Sequence, residues 1–97
     1  MIIAIGSEGK TSDDLVSEVC GRATYFQMYE NGKLIEIVNN PFKAGGGGAG
    51  AGVAKMLIDK GAEMIICGKL GDNMIHWLDD KKVPYKELKG MPIKEVI

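Results

Sequence analysis

Twelve basic and 13 acidic side chains in 97 residues give a formal net charge of −1, so the chain carries no electrostatic footprint for nucleic acid or an anionic membrane surface. Its 45% hydrophobic content is that of one soluble globular domain spanning residues 1–97, and no apolar run approaches the roughly 20 residues that cross a bilayer. Two cysteines are too few for a secreted disulfide framework, and the amino terminus lacks the basic flank and cleavage site of a signal peptide, so the expected compartment is the cytoplasm.

Residues 1–5 are almost continuously apolar, as a strand buried on both faces requires. A loop at 6–10 follows. Residues 13–19 then read as a short helix capped by Thr11 or Ser12, with Leu15, Val16 and Val19 as its apolar stripe and Gly21 as its end. Residues 23–29 and 34–38 read as two strands. Asn31-Gly32 between them is the strongest short hairpin signal, so the pair is antiparallel. Asn39-Asn40-Pro41 terminates the second of these strands.

Residues 44–52 form a run without any side chain larger than methyl, which leads into a predicted helix at 52–60 stopped by Gly61. A buried strand at 64–67 and a helix at 72–81, with Met74, Ile75 and Leu78 facing inward, come next. Residues 83–88 complete the pattern as an edge strand, because Pro84 cannot donate to a ladder.

The predicted architecture is therefore α/β: one mixed five-stranded sheet, an antiparallel hairpin joined to a parallel strand–helix–strand–helix–strand half, with helices on both faces. Right-handed crossovers then bring the loops at 6–10, 20–22, 44–52, 67–71 and 88–90 to one carboxyl edge. Open α/β sheets bind ligands at that edge. In this setting the run offers unobstructed backbone N–H groups at a helix start, an anion or cofactor cradle. The alternative is a plain linker. Gly45, Gly47 and Gly50 formally satisfy G-x-G-x-x-G, a match that composition alone makes almost inevitable, and no P-loop Gly-Lys-Ser/Thr is present.

Ser17-Glu18-x-x-Gly21-Arg22-Ala23, then Asn40-Pro41, a glycine-rich segment opening a helix, and Gly68-x-Leu70-Gly71 together resemble the dinitrogenase iron–molybdenum cofactor-binding family. The resemblance covers nearly the whole chain in the right order. It implies a ribonuclease H-like fold, a cargo site near the Gly-Arg-Ala turn and the glycine loop, and a cluster-assembly or client enzyme as partner. Val19-Cys20 stands where members often carry His-Phe, and the segment after Asn40-Pro41 has no histidine.

The candidate site follows. Arg22, the single arginine beside eleven lysines, has the bidentate fork that suits an anionic cluster; its alternative is a salt bridge to Glu18. Gly45, Gly46, Gly47, Gly48 and Gly50 would supply backbone donors, with Lys43 and Lys69 adding positive potential. Cys20 and Cys67 are the thiolate candidates for metal, the expected cargo being an iron–sulfur or iron–molybdenum type cluster. Their alternatives are small buried hydrophobes or a disulfide. His76, flanked by inward-facing Ile75 and Leu78, reads as structural. The first strand lacks the carboxylates of a two-metal nuclease, and no nucleophile–base set is legible, so no catalytic residue is expected. Two functions compete: a carrier of an anionic metallocluster, and a non-metal interaction module that kept the scaffold.

Overall fold

The computed structural model describes residues 1–44 and 49–97. Strand β1 (Ile2–Ser7) is the centre of a five-stranded sheet. Strand β2 (Tyr25–Glu30) lies antiparallel to it, and β3 (Lys33–Asn39) antiparallel to β2 on the outer edge. On the other side β4 (Met64–Cys67) runs parallel to β1, and β5 (Tyr85–Glu87) parallel to β4. The order is β3-β2-β1-β4-β5, a mixed sheet of the expected kind. The hairpin turn places Asn31 and Gly32 both at positive φ, 51° and 80°, the conformation that twists a two-residue loop in step with its strands.

Two helices link the parallel half. Helix α1 (Ala49–Asp59) starts inside the small-residue run, three residues earlier than expected. Helix α2 (Asp72–Asp80) follows β4. Both bury their apolar stripes on the same face: Val53, Ala54 and Leu57 of α1 with Met74 and Leu78 of α2, over Ala4, Phe26, Met28 and Ile65. No helix among the described residues is long and apolar enough to cross a membrane.

Two expectations are corrected here. Helices do not cover both faces. The second face buries Ile5, Tyr29 and Ile66 under Val16 and Ile93, which come from the loop at 8–19 and a 3-10 turn, Ile93–Glu95. That loop is also not the predicted helix at 13–19. Its backbone groups are spent on neighbouring segments: Val16 N–H donates to Met91 O, Ser17 N–H to Gly6 O, and the Ser17 and Glu18 carbonyls accept from Gly68 and Lys69. The Asp14 carboxylate meanwhile accepts from the amide and hydroxyl of Thr11, the local competition that keeps aspartate out of helix interiors. Leu15 and Val19 stay more than two-fifths exposed, so the apolar stripe never assembles.

Candidate functional site

The carboxyl edge is built by backbone pairing between loops. A single-residue parallel bridge joins Val19 to Lys69, flanked by Gly68 N–H to Ser17 O (2.7 Å) and Cys20 N–H to Lys69 O (2.9 Å). This approach is so close that a Cβ at Gly68 would collide with the Glu18 carbonyl. Residues Cys20–Arg22 then form one 3-10 turn. Asn40 holds it from the far side, its Nδ2 donating to Gly21 O (3.1 Å) and Ala23 O (2.8 Å), while its Oδ1 accepts from Phe42 N–H. The Asn40-Pro41 pair thus ends β3 and clamps the Gly-Arg-Ala turn in one step.

On the outer rim Glu8 accepts from the Ser17 hydroxyl (2.6 Å) and from the Thr24 hydroxyl (2.7 Å) and amide. Lys43 donates to the same Thr24 hydroxyl at 2.6 Å. Partial burial pushes the Glu8 carboxyl up, but those hydrogen bonds and the Lys43 charge outweigh it and hold the group below its ordinary range. Beneath, the fully buried Gln27 reaches Ser7 Oγ, Gly9 O and Thr11 O with its amide nitrogen and accepts from the Tyr29 hydroxyl, tying the loop after β1 onto the sheet. Burial raises the Tyr29 phenol.

The structure brings several predicted site residues together. Gly21 sits against the first turn of α1, where a Cβ built on it would lie 3.9 Å from the Gly50 nitrogen. Arg22 is exposed next to that junction, and among the described residues its guanidinium makes no ion pair; the alternative of a Glu18 salt bridge is not formed. Gly50 has a packing reason of its own, since a Cβ there would come within 3.1 Å of the Met74 Cβ where α1 meets α2. Gly45, Gly46, Gly47 and Gly48 lie outside the described residues. Lys69 is exposed on the same edge, and His76 is exposed on α2.

Cys20 and Cys67 are bonded to each other as a disulfide with Cα atoms 5.3 Å apart, and both are fully buried. Of the readings open for them, this form is the covalent pair, so any thiolate ligation of metal belongs to the reduced form. Gly6 makes room for the bond: a Cβ there would stand 2.7 Å from the Cys67 sulfur. Among the described residues no group of three or more His, Cys, Asp or Glu side chains is placed to hold a metal ion. An enclosing set of side-chain ligands for a cluster is thus not formed among the described residues, whose charged group on the turn is Arg22.

A groove of about 400 Å³ between Phe42 and the outer side of α1 is lined by the exposed Lys55–Asp59 pair and does not include Arg22. A second, of about 370 Å³, opens at the edge itself between Gly68, Lys69, Glu87 and Lys89. There Glu87 accepts from the Leu70 amide at 2.9 Å.

Comparison with known proteins bears on the whole chain. The sequence profile described as dinitrogenase iron-molybdenum cofactor matches residues 1–97. The chain belongs to the dinitrogenase iron-molybdenum cofactor family. A putative NifB protein from Thermotoga, of the DUF35 family, is similar at 32% identity over 97% of this chain and 81% of its own, with a TM-score of 0.79. The apo form of the orange protein from Desulfovibrio gigas is similar at 26% identity over 98% of this chain and 82% of its own, with a TM-score of 0.89. PH0822 shares the fold at 24% identity, covering 99% of this chain and 86% of its own, with a TM-score of 0.78. No curated protein matches the chain.

Asn40, Gly68, Glu8 and Gln27 are residues that build the edge in this structure, and the sequence patterns gave none of them a role there. Asn40 and Gly68 did stand in the quoted motifs, so the signal was present without its mechanism. Gln27 had a weaker one: an uncharged polar residue in the middle of an apolar strand needs partners if it is buried.

Proposed function

We propose that this chain is a small non-catalytic carrier that holds an anionic metallocluster, of iron–sulfur or iron–molybdenum type, at the carboxyl edge of a ribonuclease H-like fold. The family and the strand order β3-β2-β1-β4-β5 support the fold assignment. The observation that carries the function is Arg22. Its guanidinium is exposed and unpaired among the described residues, on a turn clamped by Asn40 against the start of α1. A charged fork on a fixed turn beside a helix start is suited to receive an anion.

In this reading Arg22 neutralises the cargo, and the amides of Gly45, Gly46, Gly47, Gly48 and Gly50 complete the cradle. Cys20 and Cys67 are available as ligands only after reduction. Holding is reversible because no set of three His, Cys, Asp or Glu side chains among the described residues encloses the cargo, which suits transfer to a cluster-assembly or client enzyme. Anaerobic reconstitution with iron, sulfide and molybdate, followed by absorption spectroscopy and metal analysis, tests this. Hydrogen bonds to charged groups contribute roughly 1.5–3 kcal/mol, so Arg22→Ala should weaken retention at least about tenfold while leaving the unfolding midpoint unchanged. Wild-type protein that stays colourless and metal-free, oxidised or reduced, overturns the carrier reading.

The buried, bonded cysteines favour one other reading, a non-metal interaction module docking through the same edge. Metal-free protein that co-purifies with a partner, and loses it on Arg22→Ala, is the result that selects it.

A further inference from the structure

We propose that Cys20 and Cys67 form a redox latch on the carboxyl edge, closed as the disulfide and opened by a low-molecular-weight dithiol. For what the opened edge receives, this rests on the carrier reading above. The bond joins the two sides of the site, the Cys20–Arg22 turn and the last residue of β4, across 47 residues of sequence. The place for it is built in. Gly6 leaves space over β1 for the Cys67 sulfur, with Ala23 and the Phe26 ring as the next nearest atoms.

The turn is also arranged so that losing the bond changes it locally. Segment 17–20 stays registered on 68–69 through backbone hydrogen bonds that do not involve the sulfurs. Beyond Cys20 the turn closes on itself through Arg22 N–H to Val19 O and Ala23 N–H to Cys20 O, and Asn40 ties it to the end of β3. Gly21 carries no side chain, and among the described residues a Cβ there would meet only the Gly50 backbone, at 3.9 Å, so no side chain of Gly21 anchors the turn once the bond is lost. Lifting it moves Arg22 and uncovers Cys20 together.

Opening is a thiol–disulfide exchange, and because both sulfurs are fully buried the dithiol reaches the bond only when the turn fluctuates outward. One thiolate of the dithiol attacks a protein sulfur, breaking the Cys20–Cys67 bond and forming a mixed disulfide. The second thiolate displaces it, so the reductant leaves as its cyclic disulfide. Two electrons and two protons pass to the protein, which ends with two thiols. Closed, the edge offers an anion only charge and N–H groups. Open, it adds two soft sulfur ligands whose Cα atoms start 5.3 Å apart.

The test uses the full chain in air-oxidised form, after treatment with dithiothreitol, and as the Cys20→Ser/Cys67→Ser double variant, which cannot close. Alkylation read by mass spectrometry should find no reactive thiol in the oxidised protein and two in the reduced one. Hydrogen exchange at the amides of residues 20–23 should speed up on reduction and be fast in the variant, while β1 and β2 keep their protection. After reconstitution with iron, sulfide and molybdate, metal should be retained by the reduced wild type and lost by both the oxidised protein and the variant. Two free thiols in air-oxidised protein, or identical exchange in both redox states, overturns the latch whatever the metal does. Equal retention by oxidised and reduced protein overturns the gating and leaves the carrier function standing. Retention by neither, with exchange still redox-dependent, removes the carrier reading and supports the latch as a conformational device alone.

Discussion

Glycine at position 68 is set by backbone crowding and not by conformation, because its missing Cβ is what lets the Ser17 and Glu18 carbonyls reach the amides of Gly68 and Lys69. Gly68→Ala forces those two segments apart and should cost about 1–3 kcal/mol, the usual range for overpacking. Three residues on, Gly71 sits at φ −72° with open space where a Cβ would go. Gly71→Ala should therefore leave the urea midpoint within about 0.5 kcal/mol of wild type, a control for the first. Glu8 makes a prediction in pH. Its folded carboxyl lies below the ordinary range, so its stabilising contribution is present above the ordinary carboxylate pKa and is lost as pH falls through the folded value. Wild type should lose stability over that acid window by more than Glu8→Gln does; equal losses would show that the Ser17 and Thr24 hydrogen bonds do not distinguish the ionised form.

Two elements depend on side chains outside themselves. The Cys20–Arg22 turn is only three residues long, and Asn40 donates to the carbonyls of Gly21 within it and Ala23 at its end, while accepting from the Phe42 amide that starts the following loop. Asn40→Ala leaves those partly buried groups short of partners and should cost about 1–3 kcal/mol in chemical denaturation, with the loss of protection concentrated at residues 21–24. A variant that unfolds at the wild-type midpoint would mean that the turn is held without Asn40. The segment at 13–19 shows the opposite dependence. It has helical spacing of Leu15, Val16 and Val19, yet its backbone is drawn into bridges with Ser7, Lys69 and Pro92. Local propensity in a seven-residue stretch is marginal in isolation, so tertiary hydrogen bonds decide its form.

Across the whole molecule the Cys20–Cys67 bond is the one covalent tie between halves that the sheet otherwise joins through β1 and β4. Closing a 47-residue loop constrains the unfolded chain by about 4 kcal/mol in the chain-entropy account. Reduction should lower the urea midpoint accordingly, with little change in slope. An unchanged midpoint would mean that the bond is absent in solution, or that the unfolded chain is already constrained. The two faces of the sheet differ in the same way. Two helices pack one face tightly, while the other is covered by a loop and a 3-10 turn held by Gln27, Asp14 and scattered backbone bonds. The second face is thus the one whose cover depends on polar contacts.

Sequence by itself determined the elements whose signals are local. Asn31-Gly32 specified the hairpin, the apolar runs at 1–5 and 64–67 specified the central parallel pair, and the inward-facing Met74 and Leu78 specified the second helix. It also placed the Gly-Arg-Ala turn and both cysteines at one edge, because strand order and right-handed crossovers leave few alternatives. Only the tertiary structure decided that the two helices share a face, that residues 13–19 are not a helix, and that Cys20 and Cys67 meet as a bonded pair. Those outcomes rest on contacts between residues far apart in sequence: carbonyls of Ser17 and Glu18 against Gly68 and Lys69, and Asn40 against Gly21. No periodicity within a segment encodes such distant partners.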